Sequence, residues 1–222
     1  EISTRDWSSD VCSSDLALNV IFSFLVAFFL WRLARLDYPE KISCNILLVI
    51  FFFPPTYFFL SGYPDVLFVL LAVLGLYAAR NNKWFWAGIF SAMITITKPY
   101  GVFILAAIGL EYFQANNWNL KAAFRKTDWL YLCFPALAFG SFVYFNYVNF
   151  HDPLAFFNTQ KSWGRQLGNP LESLFIEAKT HIFSGNILSG DHFPYLVYLM
   201  SFVFSIFAGI ASWKYVRKTY LA

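Results

Sequence analysis

Residues 84–113 read WFWAGIFSAMITITKPYGVFILAAIGLEYF, and the way this stretch divides decides the fold. As one helix of thirty residues it would reach ~45 Å at 1.5 Å per residue. The hydrocarbon core of a bilayer is only ~30 Å thick. Lys98, Pro99 and Gly101 fall near its middle. Proline removes a backbone donor and drives the residue before it out of the helical region. We therefore expect two short helices, 84–97 and 102–113, with a break at Lys98.

Working outward, apolar runs at 17–33, 42–53, 63–79, 128–149 and 194–213 read as further membrane helices. Trp31, Arg32 and Arg35 close the first with the aromatic and basic residues that suit an interface. Pro54 and Pro55 stop the second, and 56–62 read as a loop folded back against the bundle. The predicted fold class is an all-α, polytopic transmembrane bundle of about six to seven helices. Composition agrees. Of 222 residues, 59% are hydrophobic and 13% charged. A soluble domain is about a quarter charged, and a chain of this size cannot hide so much apolar surface in one core.

Charge tests the division. With a break at Lys98, one side carries Arg32, Arg35, Lys41, Arg80, Lys83, Lys121, Arg125, Lys126, Lys214, Arg217 and Lys218. The other carries Lys98, Lys161, Arg165 and Lys179, so the count is eleven against four. A single long helix would move the 121–126 cluster across and nearly abolish the bias. Basic residues favour the cytoplasmic side. That places Lys98 and the segment 151–193 outside. Within that segment Leu171, Leu174, Phe175, Ala178, Ile182 and Phe183 recur at helical spacing, as in an amphipathic helix on the membrane surface.

The start of the chain reads differently. Residues 1–16 are polar and lack the apolar core of a signal peptide. Residues 6–16, DWSSDVCSSDL, match the translation of a common sequencing-adapter strand over eleven consecutive codons. We expect 1–16 to be non-native and 17–222 to be part of one transmembrane domain. Cys44 and Cys133 lie in apolar runs and read as buried thiols. His151, His181 and His192 form no metal-ligand spacing, so no metal site is expected. The net charge of +3, spread between apolar runs, argues against a nucleic-acid partner.

Three outward-facing features could carry chemistry, because ionisable groups at membrane depth are costly. Asp65, in Ser61-Gly62-Tyr63-Pro64-Asp65, opens a helix; it could also be an acid favoured there by the macrodipole. Lys98, in Thr97-Lys98-Pro99-Tyr100-Gly101, is placed to meet an anion such as a lipid phosphate; it could also snorkel to the headgroups. His151-Asp152-Pro153-Leu154 runs on to Gln160, Lys161, Trp163, Gly164 and Arg165. Amide, guanidinium and aromatic groups together suit a sugar or phosphate, and equally an interfacial belt.

At these three places the chain resembles the GPI mannosyltransferase II family and its bacterial relatives. Phe53-Pro54-Pro55-Thr56, Phe58-Phe59-Leu60-Ser61, Tyr63 and Asp65-Val66-Leu67-Phe68 resemble its FPT-FFLS-Y-E-SLF signature. Trp86-Ala87-Gly88 and Thr97-Lys98-Pro99-Tyr100-Gly101 are similar to its WxAG and TRPxG motifs. His151-Asp152-Pro153-Leu154-Ala155-Phe156 with Gln160, Trp163, Gly164 and Arg165 is similar to the bacterial GDPLAF-Q-WGR block. The motifs keep their order over residues 51–165. Asp65 stands where Glu is usual, Lys98 where Arg is usual, and His151 where Gly is usual.

The resemblance implies a GT-C glycosyltransferase with its active site at the outer face. The implied donor is a polyprenyl-phosphate sugar, mannose favoured, and the acceptor a glycan, lipid or protein. The implied base is an Asp in the first outer loop. That loop would precede Ala17, so the fragment would be inactive and its catalytic residue lies outside the sequence. Asp65, Lys98, Asp152, Gln160, Trp163 and Arg165 are the implied substrate-binding residues. No cofactor is identified. The implied location is a bacterial inner membrane, or the ER membrane in a eukaryote. A transporter or flippase for a polar lipid would also want a broken helix and a cation. A non-catalytic membrane scaffold would need no outer pocket at all.

Overall fold

A computed structural model describes residues 4–53, 56, 59, 63–162, 200–204, 206, 207 and 210. Among them the chain is helical throughout. The elements are α1 (Thr4–Ala34), α2 (Glu40–Phe52), α3 (Asp65–Arg80), α4 (Trp84–Thr97), a 3-10 turn (Pro99–Phe103), α5 (Ile104–Ala115) and α6 (Leu120–Arg125). A second 3-10 segment (Thr127–Cys133), α7 (Phe134–Phe150) and α8 (Ala155–Ser162) follow. The chain divides into two units, residues 1–144 and 145–221, with α7 crossing the boundary.

The stretch that decides the fold divides as its sequence predicts. Lys98, preceding proline, takes extended backbone (φ −145°, ψ 123°) and ends α4. The chain then reverses. Lys98 lies beside Asp65 at the first residue of α3, whereas Glu111 of α5 pairs with Arg80 at the last residue of α3. α4 therefore runs antiparallel to α3 from its Arg80 end to its Asp65 end, and α5 returns towards the Arg80 end, which a single long helix could not do.

Each helix stops for a local reason. Phe53 precedes Pro54 and is extended (φ −69°, ψ 130°), which ends α2; the Thr56 hydroxyl then donates to the Ile50 carbonyl at 2.5 Å. α3 ends because Asn82 takes left-handed backbone (φ 58°), and the Lys83 N–H reaches back to the Ala78 carbonyl. Asn117 (φ 54°) and Trp118 (φ 58°) end α5 in the same way.

Packing in the first unit relies on small residues. On α4, Ala87, Ser91 and Thr95 recur every fourth residue and are all buried. Gly75, Ala78 and Ala79 of α3 face this packing, with the Ser91 hydroxyl 3.7 Å from a Cβ built on Gly75. Without a hydrophobic drive between helices in lipid, close backbone approach through small residues supplies the contact. The buried hydroxyls are satisfied within their helix: Ser91 donates to the Ala87 carbonyl at 2.6 Å and Thr95 to the Ser91 carbonyl at 2.9 Å. Gly88 lies against the Tyr131 backbone, whose carbonyl oxygen would collide with any Cβ. Trp84 meets Tyr112 edge-on at 4.9 Å, and the Tyr112 hydroxyl donates to the Ala123 carbonyl at 2.8 Å, tying α6 to this core.

Among the described residues, two helical stretches are long and apolar enough to cross a membrane, Ser14–Ala34 and Thr127–Phe150. They match the expected spans at 17–33 and 128–149. The expected spans at 42–53 and 63–79 meet α2 and α3, which have 13 and 16 residues. At 1.5 Å per residue these reach ~20 and ~24 Å, short of the hydrocarbon thickness. The expected last span at 194–213 and the amphipathic helix at 171–183 lie largely or wholly outside the described residues. Phe24, Phe52 and Phe103 are each more than 70% exposed, the surface a lipid solvent accepts and water does not.

The far end of α3 is fastened by charge. Arg80 donates to both Asp37 oxygens at 2.7 Å, and its Nε lies 3.2 Å from Glu111. Glu111 is only 3% exposed, so this bidentate pair and its second carboxylate join the α1–α2 turn, α3 and α5. Burial, and then the Asp37 carboxylate, push the neighbouring Tyr38 hydroxyl above the ordinary tyrosine pKa, against the lowering effect of Arg80.

Candidate functional site

Asp65 and Lys98 come together from 33 residues apart. Asp65 is in the first turn of α3, where the macrodipole favours a carboxylate. Lys98 is carried out of α4 by the proline after it. Its ammonium donates to the Asp65 carboxylate and forms an ion pair with it. The same ammonium lies 5.9 Å from the Phe68 ring centre and 5.8 Å from that of Tyr100. Those two rings are 5.6 Å apart. Lys98 therefore sits in a box of one carboxylate and two aromatic faces, half-buried with its side chain 20% exposed.

The backbone around the box is tight. A Cβ on Gly101 would lie 2.7 Å from the Ile94 carbonyl oxygen and closer still to the Ile94 side chain. The Gly101 N–H donates to the Lys98 carbonyl at 2.7 Å. Only glycine lets the 3-10 turn fold this closely onto α4 and keep Tyr100 over Lys98.

Asp152 belongs to the second unit and is engaged locally. One carboxylate oxygen accepts from the Leu154 N–H at 2.9 Å, the other from the Asn158 side chain at 2.7 Å. It thus caps α8, the ordinary role of an aspartate just ahead of a helix. His151 before it has left-handed backbone (φ 54°). The Gly usual at this position in the resembled family therefore has a conformational reason, and His151 carries strain that glycine would not. Gln160 lies on α8, its side chain outside the description; Trp163 and Arg165 lie outside the described residues.

Sequence reasoning missed Asn19. It stands alone among apolar residues on α1, is 6% exposed, and its side-chain amide donates to the Tyr63 carbonyl at 3.0 Å. The signal was present in the sequence: a single amide inside a membrane-length apolar run needs a partner.

Among the described residues no group of His, Cys, Asp or Glu is arranged to hold a metal ion. The site is a carboxylate, an ammonium and aromatic faces, suited to binding an anion or a hydroxylated ligand.

Long apolar helices, small-residue packing and an ion pair at a helix break are features of a helical membrane protein with a polar site. The family is then specific: a model of glycosyltransferase family 87 matches residues 13–221, and the chain belongs to that family. It is a membrane glycosyltransferase. No curated protein and no solved structure matches it. The expected enzyme class thus stands at the level of the glycosyltransferase.

Proposed function

We propose that the intact protein transfers a sugar, mannose favoured, from a polyprenyl-phosphate donor to an acceptor at the outer membrane face. The observation that carries this is the Lys98 box. It offers a cation at a helix break, flanked by aromatic faces and held by a carboxylate, in a stretch that also carries the exposed apolar side chains of Ile96 and Phe103. A lipid-linked sugar phosphate presents the matching parts: an anion, a ring with apolar faces and a long hydrocarbon tail.

In this reading Lys98 neutralises the donor phosphate, and Arg165 is a substrate-binding cation, as the resemblance implies. Asp65 orients Lys98 by its ion pair. Phe68 and Tyr100 limit where the ammonium can swing. Gln160 and Trp163 line the sugar or acceptor site, and Asp152 shapes that region by capping α8. The general base that takes the acceptor proton is an aspartate in the first outer loop, as the resemblance to the GPI mannosyltransferase II family implies. The GT-C architecture and its six to seven membrane helices belong to the same reading, as does an inner-membrane location with the active face outward.

The test is donor kinetics on the full-length protein in membranes. Loss of a charge-assisted contact costs ~1.5–3 kcal/mol, so Lys98→Ala and Arg165→Ala should each raise the donor KM roughly tenfold or more. An unchanged KM in both would remove these residues from the donor site.

A further inference from the structure

We propose that Asn19 is a positioning residue: from α1 it fixes the start of α3 and so keeps Asp65 on Lys98. The link to donor binding rests on the function proposed above; the placement itself rests on geometry alone.

The Asp65 end of α3 lacks the usual means of holding itself. Its capping position is Pro64, which has no capping side chain and no N–H. The residue before that, Tyr63, is exposed. Yet Asp65 must meet Lys98, which stands on extended backbone outside any helix. Two helix ends that must face each other within hydrogen-bond reach need an external reference.

Asn19 supplies one. It is buried, and its amide nitrogen donates across 44 residues to the Tyr63 carbonyl at 3.0 Å. Tyr63 is two residues ahead of Asp65, so this bond pins the backbone from which the carboxylate projects. α1 in turn is rigid here: the Ser23 hydroxyl donates to the Asn19 carbonyl at 2.8 Å, and Val26, one turn further on, packs fully buried with Val66 and Leu70 of α3. A buried amide that lost its partner would carry a desolvation cost of ~1–3 kcal/mol, so the bond is not casually exchanged for another.

A purely stabilising role would act on the whole unit. A positioning role acts on the first turn of α3 and on whatever Lys98 binds. The full-length protein in nanodiscs of neutral phospholipid separates the two. Hydrogen exchange is read at the amides of 68–71 and, as a control, in α7; the affinity for undecaprenyl phosphate is read alongside. Asn19→Leu keeps the volume and removes the donor. It should speed exchange at 68–71 about tenfold, leave α7 unchanged and weaken undecaprenyl phosphate binding about tenfold. Asn19→His, which places a ring N–H where the amide was, should restore both. Asn19→Ala serves if the leucine variant does not fold.

Wild-type exchange at 68–71 in the leucine variant would overturn the placement. Faster exchange with unaltered affinity would overturn the positioning role. Should the wild-type protein bind no undecaprenyl phosphate, the donor assignment falls, and the exchange measurement still decides whether Asn19 holds α3.

Discussion

Lys98 has a carboxylate on one side and two aromatic rings on the others, and it stands where relatives by resemblance carry arginine. An arginine there could grip a phosphate with two parallel N–H bonds. Lys98→Arg is therefore predicted to keep the donor KM within about threefold, in contrast to the alanine variant. His151 is the opposite case, a residue at odds with its backbone. Its φ of 54° costs a side-chain-bearing residue ~1–2 kcal/mol. His151→Gly should stabilise the protein by about 1 kcal/mol, read as a higher thermal midpoint in detergent, while His151→Ala gains nothing comparable. Equal midpoints for the two variants would show that backbone strain is not what glycine relieves there.

At the scale of the element, glycines report which helix faces touch. A Cβ on Gly88 of α4 would strike the Tyr131 carbonyl oxygen, whereas one on Gly109 of α5 meets no described atom within 4 Å. Gly88→Ala should cost ~1–3 kcal/mol through overpacking, and Gly109→Ala should gain ~0.5–1 kcal/mol through helix propensity. Chemical or thermal unfolding of the two variants checks the opposite signs. Much of this layer was legible in the sequence. The 84–97 helix, the break at Lys98 and the return helix followed from length, proline and charge bias, all local or additive signals. The ion pair was not legible as a pair: Asp65 and Lys98 each stood out, but only the antiparallel packing of α3 and α4 brings them together. Asn19 stood in the sequence as an amide in an apolar run, but its partner, a backbone carbonyl, has no signature there. Asp152 pointed to a ligand in sequence and to a helix cap in three dimensions, since its oxygens are taken by groups two and six residues away.

In the first unit as a whole, α3 is a strut with an ion cluster at each end. The Asp65–Lys98 pair lies at one end, and the Asp37–Arg80–Glu111 cluster at the other. The two differ in burial, and that separates their roles. Glu111 is nearly inaccessible, so removing Arg80 would take its cationic partner from a buried carboxylate. Arg80→Met is predicted to destabilise the protein by ~3–5 kcal/mol. Restoring much of that loss by adding Glu111→Leu would show that the buried charge was the cause. The Asp65–Lys98 pair is more exposed, and its disruption should be felt in donor binding before stability. The family makes the protein a membrane glycosyltransferase, and the proposed donor is a lipid-linked sugar. The most direct measurement is transfer from radiolabelled polyprenyl-phosphate mannose, in membranes holding the protein. The account predicts label moving to an acceptor, and transfer lost when the first-outer-loop aspartate becomes asparagine. Lipid-linked mannose left unconsumed, or transfer indifferent to that aspartate, would contradict it.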